Sequence, residues 1–171
     1  AFAEAGEIEA LFLPIGASFE GDAPELGAAA RAGLWAVNLE APLAAVAAAR
    51  GRLAPGARVV GFGSIAAARG RGRNVHYAAA KAALATAFES LRVEGARSGF
   101  VAQFYVAGYL DTEQSFGRTA LFPALAPEAA AEAVLRDGAR DFGARHLPRW
   151  WWAVTLAFRW LPWAVFRRLG V

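Results

Sequence analysis

Three short apolar runs, at 8–13, 58–63 and 100–106, are separated by Ala-rich stretches long enough for full helices. None of the runs shows the strict polar and apolar alternation of a strand with one wet face, so each reads as a strand buried on both sides. Strands of that kind, alternating with helices, imply an α/β fold with a parallel sheet covered on both faces. Pro14-Ile15-Gly16 closes the first run as a turn. The stretch 24–50 reads as a helix with Pro24 in its first turn, and Pro42 inside it predicts a kink or a break. Pro55-Gly56 reads as a turn before the second strand, and 66–75 as a loop rich in Gly and Arg. A helix is expected over 77–96, a long loop over 107–122, and a second helix over 126–140 with Pro127, Glu128 and Glu132 in its early turns.

Composition excludes several function classes. With 171 residues, 57% hydrophobic and 19% charged, the chain is long and apolar enough for one folded core, not a disordered segment. It has no cysteine, which removes disulfides and thiolate metal sites, and His76 and His146 are too few for a histidine-built one. No metal is therefore expected, and a reducing, cytoplasmic setting is compatible. The net charge is +3, with basic residues gathered at 69–73 and near the C-terminus. No aromatic residues interleave the first cluster as base stacking would need, so nucleic acid is not an expected partner. Residues 1–5 carry neither an initiator Met nor a basic segment ahead of an apolar one, and the chain opens in mid-pattern like a fragment. Two regions are expected: a catalytic domain over 1–147 and a Trp- and Arg-rich helical tail over 148–171.

Tyr77 and Lys81 stand four apart on the expected helix and so share one face. A tyrosine has an ordinary pKa of about 10 and transfers protons poorly at neutral pH. A neighbouring ammonium stabilises the phenolate and brings proton transfer within reach. The competing reading is a surface tyrosine beside a solvated lysine. Lys81 is the only lysine against seventeen arginines, and a compact ammonium can donate to a phenolate and to a ribose hydroxyl at once. Ser64 lies just past the second strand, at the carboxyl end where open parallel sheets bind ligands; it could hold a carbonyl oxygen or simply satisfy a turn. Asn38 is one of two asparagines and sits within a helical stretch that Asn disfavours. A kinked backbone with a water beside it would give Lys81 a proton route to solvent, and a helix-end or surface Asn is the alternative.

Together, Ser64, then Tyr77-Ala78-Ala79-Ala80-Lys81 thirteen residues on, with Val37-Asn38 upstream, resemble the active site of the short-chain dehydrogenases/reductases. The likeness runs from about Ile8 to Thr112 and towards the C-terminus. It implies a Rossmann-like three-layer α/β/α fold, here without the first strands of the dinucleotide-binding half. It implies hydride transfer between NAD or NADP and a carbonyl or secondary alcohol. Tyr77 would be the acid/base, Lys81 would lower its pKa and hold the nicotinamide ribose, Ser64 would orient the substrate, and Asn38 would complete the proton relay. Val106-Ala107-Gly108-Tyr109-Leu110-Asp111-Thr112 looks like the family's Pro-Gly-x-x-x-Thr stretch, which places Gly108 and Thr112 beside the cofactor; Gly16 is placed there likewise. The resemblance also implies a dimer or tetramer formed through the helices that hold Asn38 and Tyr77.

The chain departs from the family pattern in three places. Ala107 stands where the Pro would be, and Pro14-Ile15-Gly16 retains only the glycine of Asn-Ala-Gly. The glycine-rich turn that lets a diphosphate approach a helix N-terminus is absent, as is the residue that selects NAD or NADP. The fragment alone is therefore expected to be inactive. An alternative in a different class is a cofactor-incompetent relative that binds a membrane or a partner.

Five of the six tryptophans fall in the tail, where Arg159 and Pro162 break an apolar run too short to span a bilayer. Trp and Arg flanking apolar residues suit a helix lying in a membrane interface, with peripheral contact over 150–168, on the inner face of the cell membrane. Packing on the domain itself or on a second subunit is the alternative. Residues 162–169 also resemble the end of the reductases acting on polyprenylphosphoryl 2-keto-pentose, which implies a lipid-linked carbonyl substrate.

Overall fold

The computed structural model describes residues 6–111 and 122–169. Strands β1 (Ile8–Leu13), β2 (Leu53–Ser64), β3 (Val101–Ala107) and β4 (Ala144–Leu147) form one sheet in that order, and every pair is parallel. Between β1 and β2 run α1 (Ala28–Trp35), a π turn (Ala36–Glu40) and α2 (Ala41–Ala49). Helix α3 (Val75–Ser98) links β2 to β3, and α4 (Pro127–Asp137) precedes β4. After β4 come α5 (Trp151–Trp160) and α6 (Trp163–Phe166).

Successive strand residues point to opposite faces, and the core divides accordingly. Val59 and Phe104 pack with Val46, Leu84 and Phe88 on the side of α2 and α3. Their neighbours Val60 and Tyr105 pack with Val134 and Leu147 on the side of α4. The result is the three-layer α/β/α arrangement expected from the sequence, with both faces of the central strands dry. Gly63 leaves the space that the Phe104 ring fills: a Cβ there would stand 2.5 Å from it. The helical segment Ala28–Arg52 has the length and mean hydropathy, 1.4, to cross a membrane. Leu34, Asn38, Pro42, Val46 and Ala49, however, form a buried stripe along it, which is the spacing of a core helix covering a sheet.

Four local features differ from expectation. β2 starts at Leu53, so Pro55-Gly56 lies inside the strand as a bulge: Ile8 pairs with Leu53, but Ala10 pairs with Arg58. Gly56 takes a left-handed φ of +77° there, and its N–H donates to the Gly99 carbonyl at 2.6 Å. Pro42 does not break the helix, because it sits in the first turn of α2, where its missing N–H is tolerated. The irregularity falls one turn earlier, as the π turn around Asn38. Strand β4 has no β-branched run to announce it; it forms by pairing with Phe104–Ala107, and the ion pair of Arg145 with Asp137 ties it to α4. That helix stops at Asp137 rather than Arg140, because Gly138 adopts φ +56° with ψ −150°, a conformation that only glycine takes easily.

Candidate active site

Ser64 ends β2 and lies at the carboxyl edge of the sheet, paired in register with Ala107. Its Oγ accepts the Ala66 N–H at 3.1 Å and so starts the short turn Ile65–Ala68. The same hydroxyl lies near enough to the phenol of Tyr77 to lower its pKa. The turn role and the site role therefore coexist in one side chain.

Tyr77 is the third residue of α3, and its position depends on how that helix begins. Asn74 precedes the helix in a left-handed conformation and offers no side-chain cap. Asp22, from the loop after β1, does the capping instead: its two carboxylate oxygens accept the N–H groups of His76 and Tyr77, each at 2.9 Å. Burial raises the Tyr77 pKa, while the Ser64 hydroxyl and the charge of Arg71 pull it back. The positive charge acting on this phenol is thus Arg71, itself partly buried in the Gly- and Arg-rich loop.

One turn along the same face, Lys81 is buried. Its Nζ donates to the carbonyls of Ile15 at 2.8 Å and Phe62 at 3.1 Å, which join the loop after β1 to the end of β2. An ammonium has three donors, so one remains beyond these two. Burial among groups that carry no negative charge lowers its pKa to about 8.

Asn38 is fully buried within the π turn. Its Nδ2 donates to the carbonyls of Ala17 at 2.8 Å and Leu34 at 2.9 Å, and its Oδ1 accepts the Ala17 N–H at 3.2 Å. The side chain thereby pins the loop carrying Gly16. Pro42, four residues on, has no N–H, so the Asn38 backbone carbonyl loses its ordinary α-helical donor. Gly16 lies between the two side chains: a Cβ on it would stand 3.0 Å from Lys81 Nζ and 3.1 Å from Asn38 Oδ1.

Asn38, Ser64, Tyr77, Lys81 and Gly16 are thus gathered beyond the carboxyl ends of β1 and β2. Gly108 follows one strand over, its N–H donating to the Leu147 carbonyl at 2.8 Å. The indole of Trp151 packs directly where a Gly108 side chain would start. Tyr109 packs edge-on against the same indole, 5.6 Å between ring centroids. Thr112 lies outside the described residues. Sequence reasoning missed three neighbours: Asp22, Arg71 and Trp151. Only Trp151 carried a signal, as one member of a tryptophan cluster. Among the described residues no group of His, Cys, Asp and Glu could hold a metal ion.

The family model described as enoyl-(acyl carrier protein) reductase matches residues 1–141. No curated protein sequence matches the chain. Among solved structures, the blue fluorescent protein from a metagenomic library, in complex with NADPH, is 25% identical with a TM-score of 0.73; the match covers 84% of this chain and 64% of that one. The angucycline C-6 ketoreductase LanV with bound NADP is 19% identical with a TM-score of 0.72, over 81% of this chain and 60% of that one. A short-chain dehydrogenase/reductase from Serratia marcescens is 20% identical with a TM-score of 0.68, over 81% and 62%. The chain therefore spans about three fifths of the length of the structures it matches.

Proposed function

The chain belongs to the short-chain dehydrogenase/reductase family, and from that premise we propose that it is the catalytic part of an NAD(P)-dependent oxidoreductase that reduces a carbonyl or oxidises a secondary alcohol. The observation that carries this reading is the placement of Ser64 beside Tyr77, with buried Lys81 one helical turn away, all at the carboxyl edge of a parallel sheet.

In the reductive direction Tyr77 gives its hydroxyl proton to the carbonyl oxygen, and the Ser64 hydroxyl holds that oxygen in line. Lys81, charged or neutral within reach of neutral pH because its pKa is about 8, restores the proton to Tyr77. The Asn38 carbonyl, which Pro42 leaves without its ordinary helical donor, would accept from a water that links Lys81 to solvent. A nicotinamide dinucleotide supplies the hydride when bound. The residues fit its nicotinamide end: the free donor of Lys81 suits a ribose hydroxyl, and Gly16 keeps the space beside it clear. Gly108 would complete that end of the site, and Thr112 is assigned to the cofactor by its place in the sequence alone. None of the 171 residues supplies the glycine-rich turn that a diphosphate needs, so this chain alone binds the dinucleotide weakly and is inactive. The neighbours that hold NADP and NADPH support a nicotinamide dinucleotide as the cofactor.

For the substrate we favour an apolar or lipid-linked carbonyl compound. The rings of Tyr109, Phe122, Trp150 and Trp151 form a connected aromatic cluster beside Gly108, an apolar wall next to the reacting groups. The Ala-rich helices around Asn38 and Tyr77 suit pairing with a second copy as a dimer or tetramer. The test is NADH and NADPH oxidation by the natural gene product that contains these residues, with long-chain and water-soluble ketones. Tyr77→Phe should lower kcat by about a hundredfold or more while leaving dinucleotide binding intact. An unchanged rate would remove the catalytic assignment. Binding to vesicles without any dinucleotide binding would favour a membrane- or partner-binding module.

A further inference from the structure

Helices α5 and α6 present two different faces. The inner one packs on the domain: Trp151 lies on Gly108, and Val154, Thr155 and Phe158 are partly covered on the same side. Arg69, in the loop after Ser64, clamps it there. Its Nη1 donates to the carbonyls of Phe158 at 2.8 Å and Leu161 at 2.5 Å, and its guanidinium stacks 3.9 Å above the Phe166 ring. These contacts set which side of the tail faces outward.

The outer side of α5 carries Trp152, Leu156 and Trp160 at helical spacing, and beyond the break at Pro162 the side chains of Trp163, Val165 and Leu169 are exposed as well. The three tryptophans are 61%, 77% and 65% exposed. So many large exposed rings within twelve residues imply a partner. Its chemistry narrows the choice. Residues 147–169 contain four arginines, Arg149, Arg159, Arg167 and Arg168, and no Asp or Glu. Tryptophan has an apolar body and one N–H donor, which suits the headgroup depth of a bilayer, and arginines at that depth meet lipid phosphates. With ten residues, α5 is about 15 Å long, too short to cross but suited to lying flat. These rings follow β4, at the far edge of the sheet from β1.

We propose that the outer face of α5 and α6 docks on the surface of an anionic lipid bilayer. Trp152, Trp160 and Trp163 enter the headgroup region, and Arg149, Arg159, Arg167 and Arg168 meet the phosphates. The inner face of the same helix closes over Gly108, and Arg69 ties it to the turn that follows Ser64. Docking therefore holds the candidate active site next to the membrane surface. The docking itself does not depend on the oxidoreductase reading.

The test is co-sedimentation of the intact chain with vesicles of phosphatidylcholine alone and of phosphatidylcholine with phosphatidylglycerol. Binding to the anionic vesicles should be at least about tenfold tighter, weaken with salt, and shift tryptophan fluorescence to the blue. The triple variant Trp152→Ser, Trp160→Ser, Trp163→Ser should lose binding about tenfold or more with a melting curve little changed, because the three rings are mostly exposed and of them only Trp163 packs against a buried ring, that of Phe166. Arg159→Gln with Arg168→Gln should weaken binding to anionic vesicles only, by roughly fivefold per charge at low salt. Failure to bind anionic vesicles, or equal binding by the triple variant, would overturn the proposal. So would concentration-dependent self-association that the triple variant abolishes without any vesicle binding, which would assign the exposed rings to a second copy of the chain.

Discussion

Gly16 and Lys81 lie so close that a Cβ on the glycine would stand 3.0 Å from the lysine Nζ, and it would also meet Asn38 Oδ1 at 3.1 Å. Neither neighbour can yield cheaply, since Nζ holds two backbone carbonyls and the Asn38 amide makes three hydrogen bonds. Gly16→Ala is therefore expected to destabilise the fold by about 1–3 kcal/mol, the usual range for overpacking a tight site. It should also reduce turnover in the natural gene product. A urea midpoint equal to that of the wild type would show that the site gives way freely.

Lys81 makes stability depend on pH. Its pKa is about 8 in the folded state against an ordinary value of 10.5. Below pH 8 it is charged in both states, and burying the ammonium weighs against folding. From pH 8 to 10.5 the unfolded chain binds the proton more tightly than the folded one, so this group makes stability rise with pH. The full span is about 3 kcal/mol. Lys81→Met should lack that rise. Urea unfolding of both proteins between pH 8 and 10 measures the difference; parallel curves would mean that Lys81 is not desolvated as described.

Asp22 determines where α3 begins. Asp22→Ala leaves the His76 and Tyr77 N–H groups without their carboxylate and should cost about 1–2 kcal/mol, since Asn74 cannot take over. Asp22→Asn keeps one acceptor and should fall between. Thermal unfolding should rank wild type above Asn above Ala. Three equal melting temperatures would dismiss the cap.

Gln103 is fully buried and ties three elements together. Its Nε2 donates to the carbonyls of Gly138 at 2.9 Å and Arg140 at 2.7 Å, and its Oε1 accepts from Arg58 Nη2 at 2.9 Å. Gln103→Leu strands all of these groups and should destabilise by about 3 kcal/mol, read from chemical denaturation. A loss within a few tenths of a kcal/mol would mean that water replaces the amide.

The candidate site was legible where its signals are local. Tyr77 and Lys81 announce themselves by a four-residue spacing on one helix, and Ser64 by standing at the end of a buried run. Asn38 stood out because Asn disfavours the helix it sits in. The cap on α3 was not legible, because Asp22 lies more than fifty residues from the amides it holds. Arg71 was one arginine among several in its loop, and nothing local sets it beside Tyr77. Strand β4 was missed because its pairing with β3, not its own composition, makes it a strand.

The tail shows the same division. Its tryptophans, arginines and short apolar runs were plain in the sequence, and so was the choice between a membrane surface and packing on the domain. The fold gives one helix an inner face on the domain, with Trp151 on Gly108, and an exposed outer face, with Trp152. By itself the sequence determined the parallel α/β architecture and the helices and strands with strong periodicity, and it singled out the four residues proposed for the proton relay. Periodicity and propensity act over a few neighbouring residues, so they reach that far. Only the tertiary structure decided which distant groups meet: Asp22 on α3, Gln103 on the loop after α4, Arg69 on the end of α5. Those meetings follow from sheet register and helix packing, which the whole chain sets together.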